Sequence, residues 1–128
     1  MLVTHFHFGG RCDEAIELYE KAFNTKINSM DRDEAGGVIH AEMKIHGQRV
    51  MLNDFYGGKD NNPENFSIQM VPIFKTKEQL LRCYEVLKTG AISVSLPHKT
   101  FHSPLVAGVI DKFGIKWGLM VEEDIAEW

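Results

Sequence analysis

The sequence predicts an α+β fold of two βαβββ modules, whose strands form a curved mixed sheet around a cleft with the helices outside. Two observations lead to this prediction. The spacing of apolar residues changes along the chain between two, which is typical of strands, and three to four, which is typical of helices. The same order of segments, a strand, a helix and three strands, occurs in each half of the 128 residues. We therefore predict a single domain with modules at about 1–62 and 63–128.

The first module begins with a strand and a helix. Residues Leu2–Phe8 alternate imperfectly between apolar and polar and end at a glycine pair, as a short strand would. From Cys12 onward, apolar residues recur at intervals of three and four, which predicts an amphipathic helix. Asp13 and Glu14 suit the positive end of its dipole. A further short strand is predicted at Thr25–Met30.

A hairpin between Gly37 and Asp54 is the most regular part of the pattern. From Val38 to His46, apolar and polar residues alternate strictly, which is typical of a strand with one apolar and one polar face. A turn at His46–Gln48 and a more apolar strand at Arg49–Asn53 follow. The polar face of the first strand carries His40 and Glu42, which project the same way because they are two residues apart.

The second module repeats the scheme after a loop. The predicted segments are a loop at Tyr56–Pro63, a strand at Asn65–Phe74, a helix opened by a capping box at Thr76–Gln79, strands at Ala91–Leu96, Leu105–Ile110 and Ile115–Glu122, a loop at Pro97–Pro104 and a turn at Asp111–Gly114. Two modules of this kind cannot each cover a sheet face alone. We therefore expect them to pack together and enclose a cleft.

Charge and hydropathy argue against two classes of partner. The net charge is −4, and the Lys and Arg residues are scattered without a basic patch, so we expect that the protein does not bind nucleic acid. No apolar run approaches the roughly 20 residues that a membrane helix needs, so we expect no membrane partner. The start of the chain lacks the layout of a signal peptide.

The two cysteines, Cys12 and Cys83, lie on the apolar stripes of the predicted helices, and the sequence contains no CxxC motif. Reduced, packed thiols are typical of an intracellular protein, so we expect a cytoplasmic one. A buried thiol also lacks the electropositive, exposed surroundings of a cysteine nucleophile. The GxSxG, HExxH and phosphate-loop motifs are absent as well.

Five pieces of the sequence, in order, resemble one family. After the first strand come the motif G-x-C-x-E-A-I-x-x-Y at Gly10–Tyr19, the His-Ala-Glu strand at His40–Glu42, then Met51–Asp54 and finally Asp111–Trp117. Together they resemble the PhnB-like branch of the vicinal oxygen chelate superfamily. That superfamily includes glyoxalases, bleomycin- and fosfomycin-resistance proteins and extradiol dioxygenases. The resemblance implies paired βαβββ modules, usually assembled as homodimers.

The resemblance also implies where a metal ion would bind. Metal-dependent members hold a divalent ion with one His, Glu or Gln from each of four strands, which leaves positions open for substrate oxygens. In this sequence the four positions fall on Thr4, on Leu52 or Asn53, on Ser67 and on Gly118. Only His5, one step from Thr4 and on the opposite face, would supply a good ligand. We therefore predict no metal and no other cofactor.

Two pairs of residues in the first module have both a functional and a structural interpretation. His40 and Glu42 are a general base with its orienting carboxylate, a pair of hydrogen-bonding groups in a pocket, or a solvated polar face. His5 and His7 share one face of the first strand. They form a metal or acid–base pair, or they pack beneath the first helix or at a subunit boundary. Asp54, at the end of the hairpin, is interpreted as a turn residue.

Other candidates lie in the second module. Ser67 and Gln69 can make polar contacts in a cleft, and Trp117 can stack on a ligand or pack in the core. His98 and His102 lie in the predicted loop at Pro97–Pro104, which either closes over the cleft or is a plain surface loop.

The sequence thus favours a PhnB-like small-molecule binding or sequestering protein that forms a homodimer. The predicted ligand-binding residues are His40, Glu42, Asn53, Ser67, Gln69 and Trp117. The alternative is a metal-dependent lyase, isomerase or dioxygenase-type enzyme with an altered ligand set of His5, His7, His40 and Glu42. In a third hypothesis, side chains fill the cleft and the protein acts only through its dimer surface.

Overall fold

The structure is a computed structural model that describes residues 1–55 and 67–122. The chain divides into two units, Met1–Asn62 and Pro63–Trp128, and each is described by itself. The predicted loop at Tyr56–Pro63 lies outside the described residues, as does the start of the strand predicted at Asn65–Phe74. That both units belong to a single domain stays a prediction.

The first unit is a βαβββ module, as predicted. Its elements are β1 (Thr4–His7), α1 (Cys12–Ala22), β2 (Ile27–Arg32), β3 (Val38–Ile45) and β4 (Gln48–Asn53). They form a four-stranded sheet in the order β1-β4-β3-β2. β1 runs parallel to β4, whereas β3 is antiparallel to both β4 and β2. The sheet is therefore mixed.

Helix α1 covers one face of this sheet. Phe6 and Phe8 of the first strand segment are buried, and their rings lie 6.1 and 6.0 Å from that of Tyr19, measured between centroids. Because strand residues alternate between faces, His5 and His7 lie on the opposite face. The interpretation that these histidines pack beneath the helix is therefore wrong, since the two phenylalanines fill that space.

The N-terminus of α1 is capped from another element. Asp54, just after β4, accepts a hydrogen bond from the Cys12 backbone N–H at 2.8 Å through one carboxylate oxygen. Its other oxygen accepts one from the Val38 N–H, at the start of β3, at 2.7 Å. A carboxylate is favourable here because the first N–H groups of a helix lack partners within it. Asp54 is thus a tertiary cap as well as a turn residue.

The predicted turn of the hairpin is confirmed. His46 and Gly47 both have positive φ, 50° and 77°, and they connect the paired residues Ile45 and Gln48. Two-residue hairpin loops of type I′ have positive φ at both positions, and glycine adopts it without steric cost. The turn fixes the register, so β4 returns with Val50 and Leu52 buried.

The second unit is also a βαβββ module. Its elements are β5 (Ile73–Phe74), α2 (Lys77–Leu87), β6 (Ser93–Thr100), β7 (Ser103–Ile110) and β8 (Lys116–Val121). The sheet has the order β5-β8-β7-β6, with β5 parallel to β8 and the other pairs antiparallel. The prediction of two βαβββ modules in an α+β fold is therefore confirmed.

The predicted helix cap in this unit is confirmed as well. Thr76 precedes α2 with an extended backbone, and its hydroxyl accepts a hydrogen bond from the Gln79 N–H at 3.2 Å. Leu80, Cys83 and Leu87 form part of the buried stripe of the helix. The cap and the stripe together explain why the helix begins at residue 77.

The first strand of the second unit is shorter than predicted. Over the described part of the predicted segment, β5 covers only Ile73–Phe74, with an isolated bridge between Met70 and Trp117. Pro72 lies between the bridge and the strand and has no N–H to donate, although its carbonyl accepts from the Met120 N–H at 3.3 Å. The proline thus divides the edge strand in two.

The predicted loop at Pro97–Pro104 is wrong. β6 continues to Thr100 and β7 begins at Ser103, so His98 is a strand residue and His102 lies in a tight turn. β6 is an edge strand, where a proline costs no ladder hydrogen bond if its nitrogen faces outward. The register shifts between Ser95 and His98, around the proline. Prolines therefore mark an irregular edge strand here.

A buried carboxylate organises the predicted turn at Asp111–Gly114. Asp111 accepts hydrogen bonds from the N–H groups of Phe113 and Ile115 at 2.9 and 3.0 Å through one oxygen. Its other oxygen accepts one from the indole N–H of Trp117 at 2.9 Å. Both Asp111 and Trp117 are buried. The core interpretation of the Trp117 indole is the one that the structure supports.

The helices of the described residues are short. None of them is long and apolar enough to cross a membrane.

Candidate functional site

Each sheet has one face that its helix does not cover. In the first unit this face carries a set of polar side chains, which we call the histidine face: His5, His7, His40, Glu42, Arg49 and Asn53. The register brings them together, because His5 is paired with Met51, and Met51 is paired with Glu42 on the next strand. Residues paired in this way project from the same face.

Asn53 is the centre of this face. The residue is buried, and its side-chain oxygen accepts a hydrogen bond from the Phe55 N–H at 3.1 Å. A backbone N–H can only donate, so this contact fixes which amide atom is the oxygen. The same oxygen lies 2.8 Å from Nδ1 of His7, which must therefore donate. The amide nitrogen then donates to Nε2 of His5 at 3.2 Å.

His5 is held in its neutral form by these contacts. Its Nε2 accepts the hydrogen bond from Asn53, which an imidazolium could not do. Its ring centroid lies 4.5 Å from that of His7 and 6.1 Å from that of His40. Partial burial, followed by the charges that His7 and His40 would carry, lowers the pKa of His5 below its ordinary value of 6.5.

Glu42 orients His40. The Glu42 carboxylate accepts two hydrogen bonds from the Arg49 guanidinium and one from Nε2 of His40 at 2.8 Å. The hydrogen bond from Arg49, then that from His40, lowers the pKa of Glu42 to about 2. Because the carboxylate is ionised and only accepts, the proton of a neutral His40 lies on Nε2. Chemically, this is a base whose orientation a carboxylate fixes.

Sequence reasoning missed Arg49. In the hairpin register Arg49 is paired with Lys44, and Glu42 with Met51, so Arg49 lies diagonally across from Glu42. Diagonal neighbours across a strand pair are within reach of long side chains. The position of the turn fixes the register, so it could have predicted that Arg49 lies near Glu42.

The residues at the positions of the superfamily's metal ligands do not fit a metal ion. Leu52 is buried in the core, and the amide of Asn53 is bonded to both His5 and His7. Gly118 has no side chain to offer. In residues 1–55 and 67–122, no group of three or more His, Cys, Asp or Glu is placed to hold an ion. That the protein works without a metal stays a prediction.

The uncovered face of the second sheet contains a groove of about 300 Å³. It lies across the three strands β6, β7 and β8, opposite the side where Ala107, Val109 and Leu119 are buried. Val106 and Ile110 line its two sides with apolar surface. The polar side chains around it are Gln69, Ser93, Ser95, His98 and Lys116.

The middle of the groove is bare backbone. Gly108 and Gly118 are directly paired between β7 and β8. A Cβ added at Gly118 would lie 2.8 Å from the side-chain oxygen of Gln69, so the Gln69 amide lies over this glycine. A Cβ at Gly108 would lie 3.2 Å from that of Ser95. A row of Gln69, two glycines and Ser95 thus crosses the sheet.

The predicted site residues therefore fall into separate groups. His40, Glu42 and Asn53 lie on the histidine face of the first unit. Gln69 lines the groove of the second unit, whereas Ser67 is exposed. Trp117 also borders the groove, but its indole is buried and bonded to Asp111. Sequence reasoning did not identify the glycine pair, because it appears only once β7 and β8 are in register.

A family model describes nearly the whole chain. The model of the Glyoxalase/Bleomycin resistance protein/Dioxygenase superfamily matches residues 3–119. The chain belongs to this superfamily. The predicted family is thereby confirmed, and the two βαβββ modules are the expected fold of a superfamily member.

Curated relatives of this superfamily member include two mycobacterial proteins. It is 31% identical over 110 residues to an uncharacterized protein of Mycobacterium bovis, which covers 82% of this chain and 72% of that protein. It is likewise 31% identical over 110 residues to one of Mycobacterium tuberculosis, where the match covers 65% of the relative. The relatives are therefore longer than this chain.

Solved structures share the fold of this superfamily member. A PhnB protein from Bacillus cereus has a TM-score of 0.81 at 23% identity and covers 94% of this chain and 98% of its own. The fosfomycin resistance protein FosX from Listeria monocytogenes has a TM-score of 0.70 at 10% identity, with 95% and 92% covered. At these identities the likeness shows the fold alone.

Proposed function

We propose that this superfamily member is a PhnB-like protein that binds or sequesters a small molecule without a metal ion. The groove of the second unit is the observation that carries the proposal. Its volume of about 300 Å³ is at the lower end of small-molecule pockets, which span roughly 300–1,000 Å³. Apolar side chains around the groove, with a few polar groups at its edge, are also typical of such pockets.

Among the predicted ligand-binding residues, we assign a role in this groove to Gln69, whose amide lies above its floor. His40, Glu42 and Asn53 form a polar surface on the first unit, where hydrogen bonds fix the orientation of each side chain. We propose that this surface hydrogen-bonds polar atoms of a small molecule. Ser67 and the buried indole of Trp117 have no part in the proposal.

The test is a thermal-shift screen of small aromatic amides, acids and heterocycles, followed by chemical-shift mapping of each hit. A compound present at 100 times its Kd should add roughly 2.7 kcal/mol to the free energy of unfolding. The largest chemical-shift changes should occur in β6, β7 and β8. A Val106→Trp variant, which fills the groove from one side, should bind the hits at least tenfold more weakly.

Leu96→Trp is the matched control, because it places the same side chain at an exposed position of β6 that does not line the groove. Hits should bind this variant as they bind the wild type. The proposal fails if no compound shifts the melting temperature, or if both tryptophan variants lose binding equally.

The second candidate function is a metal-dependent lyase, isomerase or dioxygenase-type enzyme. The observation in its favour is that His5, His7 and His40 lie together on the histidine face, with Glu42 beside them. Elemental analysis of protein purified without added ions decides between the candidates. A stoichiometric divalent metal that is lost in His40→Ala would favour the enzyme, and no metal in either sample would exclude this ligand set.

Assembly and location complete the proposal. We propose a homodimer in the cytoplasm, supported by the family resemblance and by two buried cysteines that form no disulfide. Sedimentation equilibrium should give twice the mass of the chain, which is 14.6 kDa. A single species at the monomer mass would contradict the proposed assembly.

A further inference from the structure

We propose that the groove of the second unit takes a flat aromatic ring system with a carboxamide-like edge, stacked on the backbone of Gly108 and hydrogen-bonded to the Gln69 amide that lies over Gly118. This inference rests on the proposed function and names the chemical class of its ligand. Three features of the groove carry it: the shape of the floor, the position of the Gln69 amide and the uncommitted polar groups.

The floor is long enough to hold an aromatic ring. On β7, Val106 and Ile110 project into the groove on either side of Gly108, four residues apart. At about 3.4 Å per residue, their Cα atoms lie about 14 Å apart. On β8, Met120 and Lys116 flank Gly118 in the same way, as the pairing partners of Val106 and Ile110. Between these rows only peptide groups form the surface, and a planar ring contacts a flat surface over its whole face.

The position of Gln69 indicates where the polar edge of the ligand lies. Both terminal amide atoms are close to the position of a Gly118 Cβ, the oxygen at 2.8 Å and the nitrogen at 3.2 Å. The amide therefore covers the Gly118 half of the floor and leaves the Gly108 half to the ring. An amide presents a donor beside an acceptor, so its complement is another donor–acceptor edge in the same plane.

The polar groups of the groove have hydrogen bonds left to make. Within the described residues, the side chains of Gln69, Ser93 and Ser95 make no hydrogen bond to another protein group. His98 donates from Nδ1 to the carbonyl of Leu96 at 2.7 Å, which leaves Nε2 for another partner. Groups of this kind at the rim of an apolar groove fix the orientation of a bound molecule.

The experiment compares two probes that share a carbon skeleton and a carboxamide: 2-naphthamide, which is flat and aromatic, and decahydro-2-naphthamide, which is saturated and puckered. Binding is measured by calorimetry and located by chemical-shift mapping of the whole chain. The aromatic probe should bind at least tenfold more tightly and shift the amides of Gly108 and Gly118. Equal binding of the two probes within the groove would overturn the inference about flatness.

Three variants test the contacts. Gly118→Ala places a methyl group where the Gln69 amide lies, and Gly108→Ala raises the floor itself. Each should weaken 2-naphthamide at least tenfold, while Gln69→Ala should weaken it about three- to tenfold. Lys99→Ala is the control, because Lys99 is an exposed residue of β6 outside the groove. Melting temperatures within a few degrees of the wild type exclude unfolding as the cause.

Different experimental outcomes would overturn this inference and the proposed function. If screened compounds bind in the groove but 2-naphthamide does not, or if Gly118→Ala leaves its affinity unchanged, the ligand class is wrong and the binding function stands. If neither the probes nor any screened compound perturbs β6, β7 or β8, the proposed function fails, and this inference fails with it.

Discussion

The carboxylate of Asp111 accepts a hydrogen bond from the indole N–H of Trp117 at 2.9 Å in the core of the second unit. A buried indole N–H without a partner would lose its hydrogen bond to water, which costs about 1–3 kcal/mol. The contact therefore holds the ring beneath the sheet. It also explains why the most obvious aromatic candidate for ligand stacking does not contact the groove with its ring.

Replacing Asp111 with Ala should destabilise the protein strongly. The substitution leaves the N–H groups of Phe113, Ile115 and Trp117 without their acceptor. We expect the free energy of unfolding to fall by about 3–5 kcal/mol, because each buried donor left without a partner costs about 1–3 kcal/mol. Urea denaturation measures it. Asp31→Ala, on the exposed edge strand β2, should change it by less than about 0.5 kcal/mol. Equal effects would contradict this account.

An Asn53→Asp variant should raise the pKa of His5. In the wild type the Asn53 amide nitrogen donates to His5, whereas an aspartate at this position could only accept. His5 would then gain a partner for its protonated form, and its pKa should move from below 6.5 to above it. Titration of the ring protons by NMR measures the change. A His5 pKa that stays low in the variant would refute the assigned orientation of the amide.

The same histidine predicts how stability depends on pH. Because the pKa of His5 is lower in the folded state than the unfolded value of 6.5, the unfolded chain binds the proton more readily. The free energy of unfolding should therefore decrease as the pH falls from 6.5 through the folded pKa. His5→Gln keeps an acceptor for Asn53 but does not titrate, so this variant should lose that part of the pH dependence. Denaturation curves between pH 5 and 8 compare the two proteins.

Removing Arg49 should raise the pKa of the Glu42 carboxylate. The Arg49 hydrogen bond is the largest cause of the lowered Glu42 pKa of about 2. In Arg49→Ala that pKa should rise toward 4.5, its ordinary value, while the His40 contact keeps part of the shift. Carboxyl carbon shifts in an NMR titration measure it. Arg11→Ala, which removes a separate exposed ion pair with Glu14, should leave the pKa of Glu42 unchanged.

The helix cap at Thr76 offers a local test of the second module. Thr76→Ala removes the acceptor for the Gln79 N–H and should lower the free energy of unfolding by about 1 kcal/mol. Thr89→Ala, at an exposed position after the same helix, serves as the control and should change it by less than about 0.5 kcal/mol. Thermal and urea unfolding of both variants decide the point.

Local pattern predicted most of the fold. The alternation between Val38 and His46 assigned His40 and Glu42 to one face, and the structure places both there, on the face that α1 leaves uncovered. Two of the failures involve a proline: Pro72 divides the strand predicted at Asn65–Phe74, and Pro97 lies inside β6 on an edge. A proline removes one backbone hydrogen-bond donor. The sequence does not show whether its strand lies at the centre or at the edge of the sheet, because only the order of the strands decides this.

The candidate site was harder to predict for a different reason. Arg49 and the pair of Gly108 and Gly118 acquire their roles from partners on neighbouring strands. A strand pattern reports which face a residue occupies, but not which residue lies beside it across the ladder. Pair contacts of this kind depend on register, and register is a property of two segments together.

The two hydrogen bonds of Asp54 have a consequence for how the first unit opens. One carboxylate protects the amide protons of both Cys12 and Val38, the first residues of α1 and β3. When the Asp54 carboxylate loses these hydrogen bonds, both amide protons become exposed to solvent at the same time. The helix and the hairpin therefore belong to one cooperative unit. Their hydrogen-exchange rates should therefore rise together in Asp54→Ala, which removes both acceptor oxygens, and separate responses would mean that the two elements open independently.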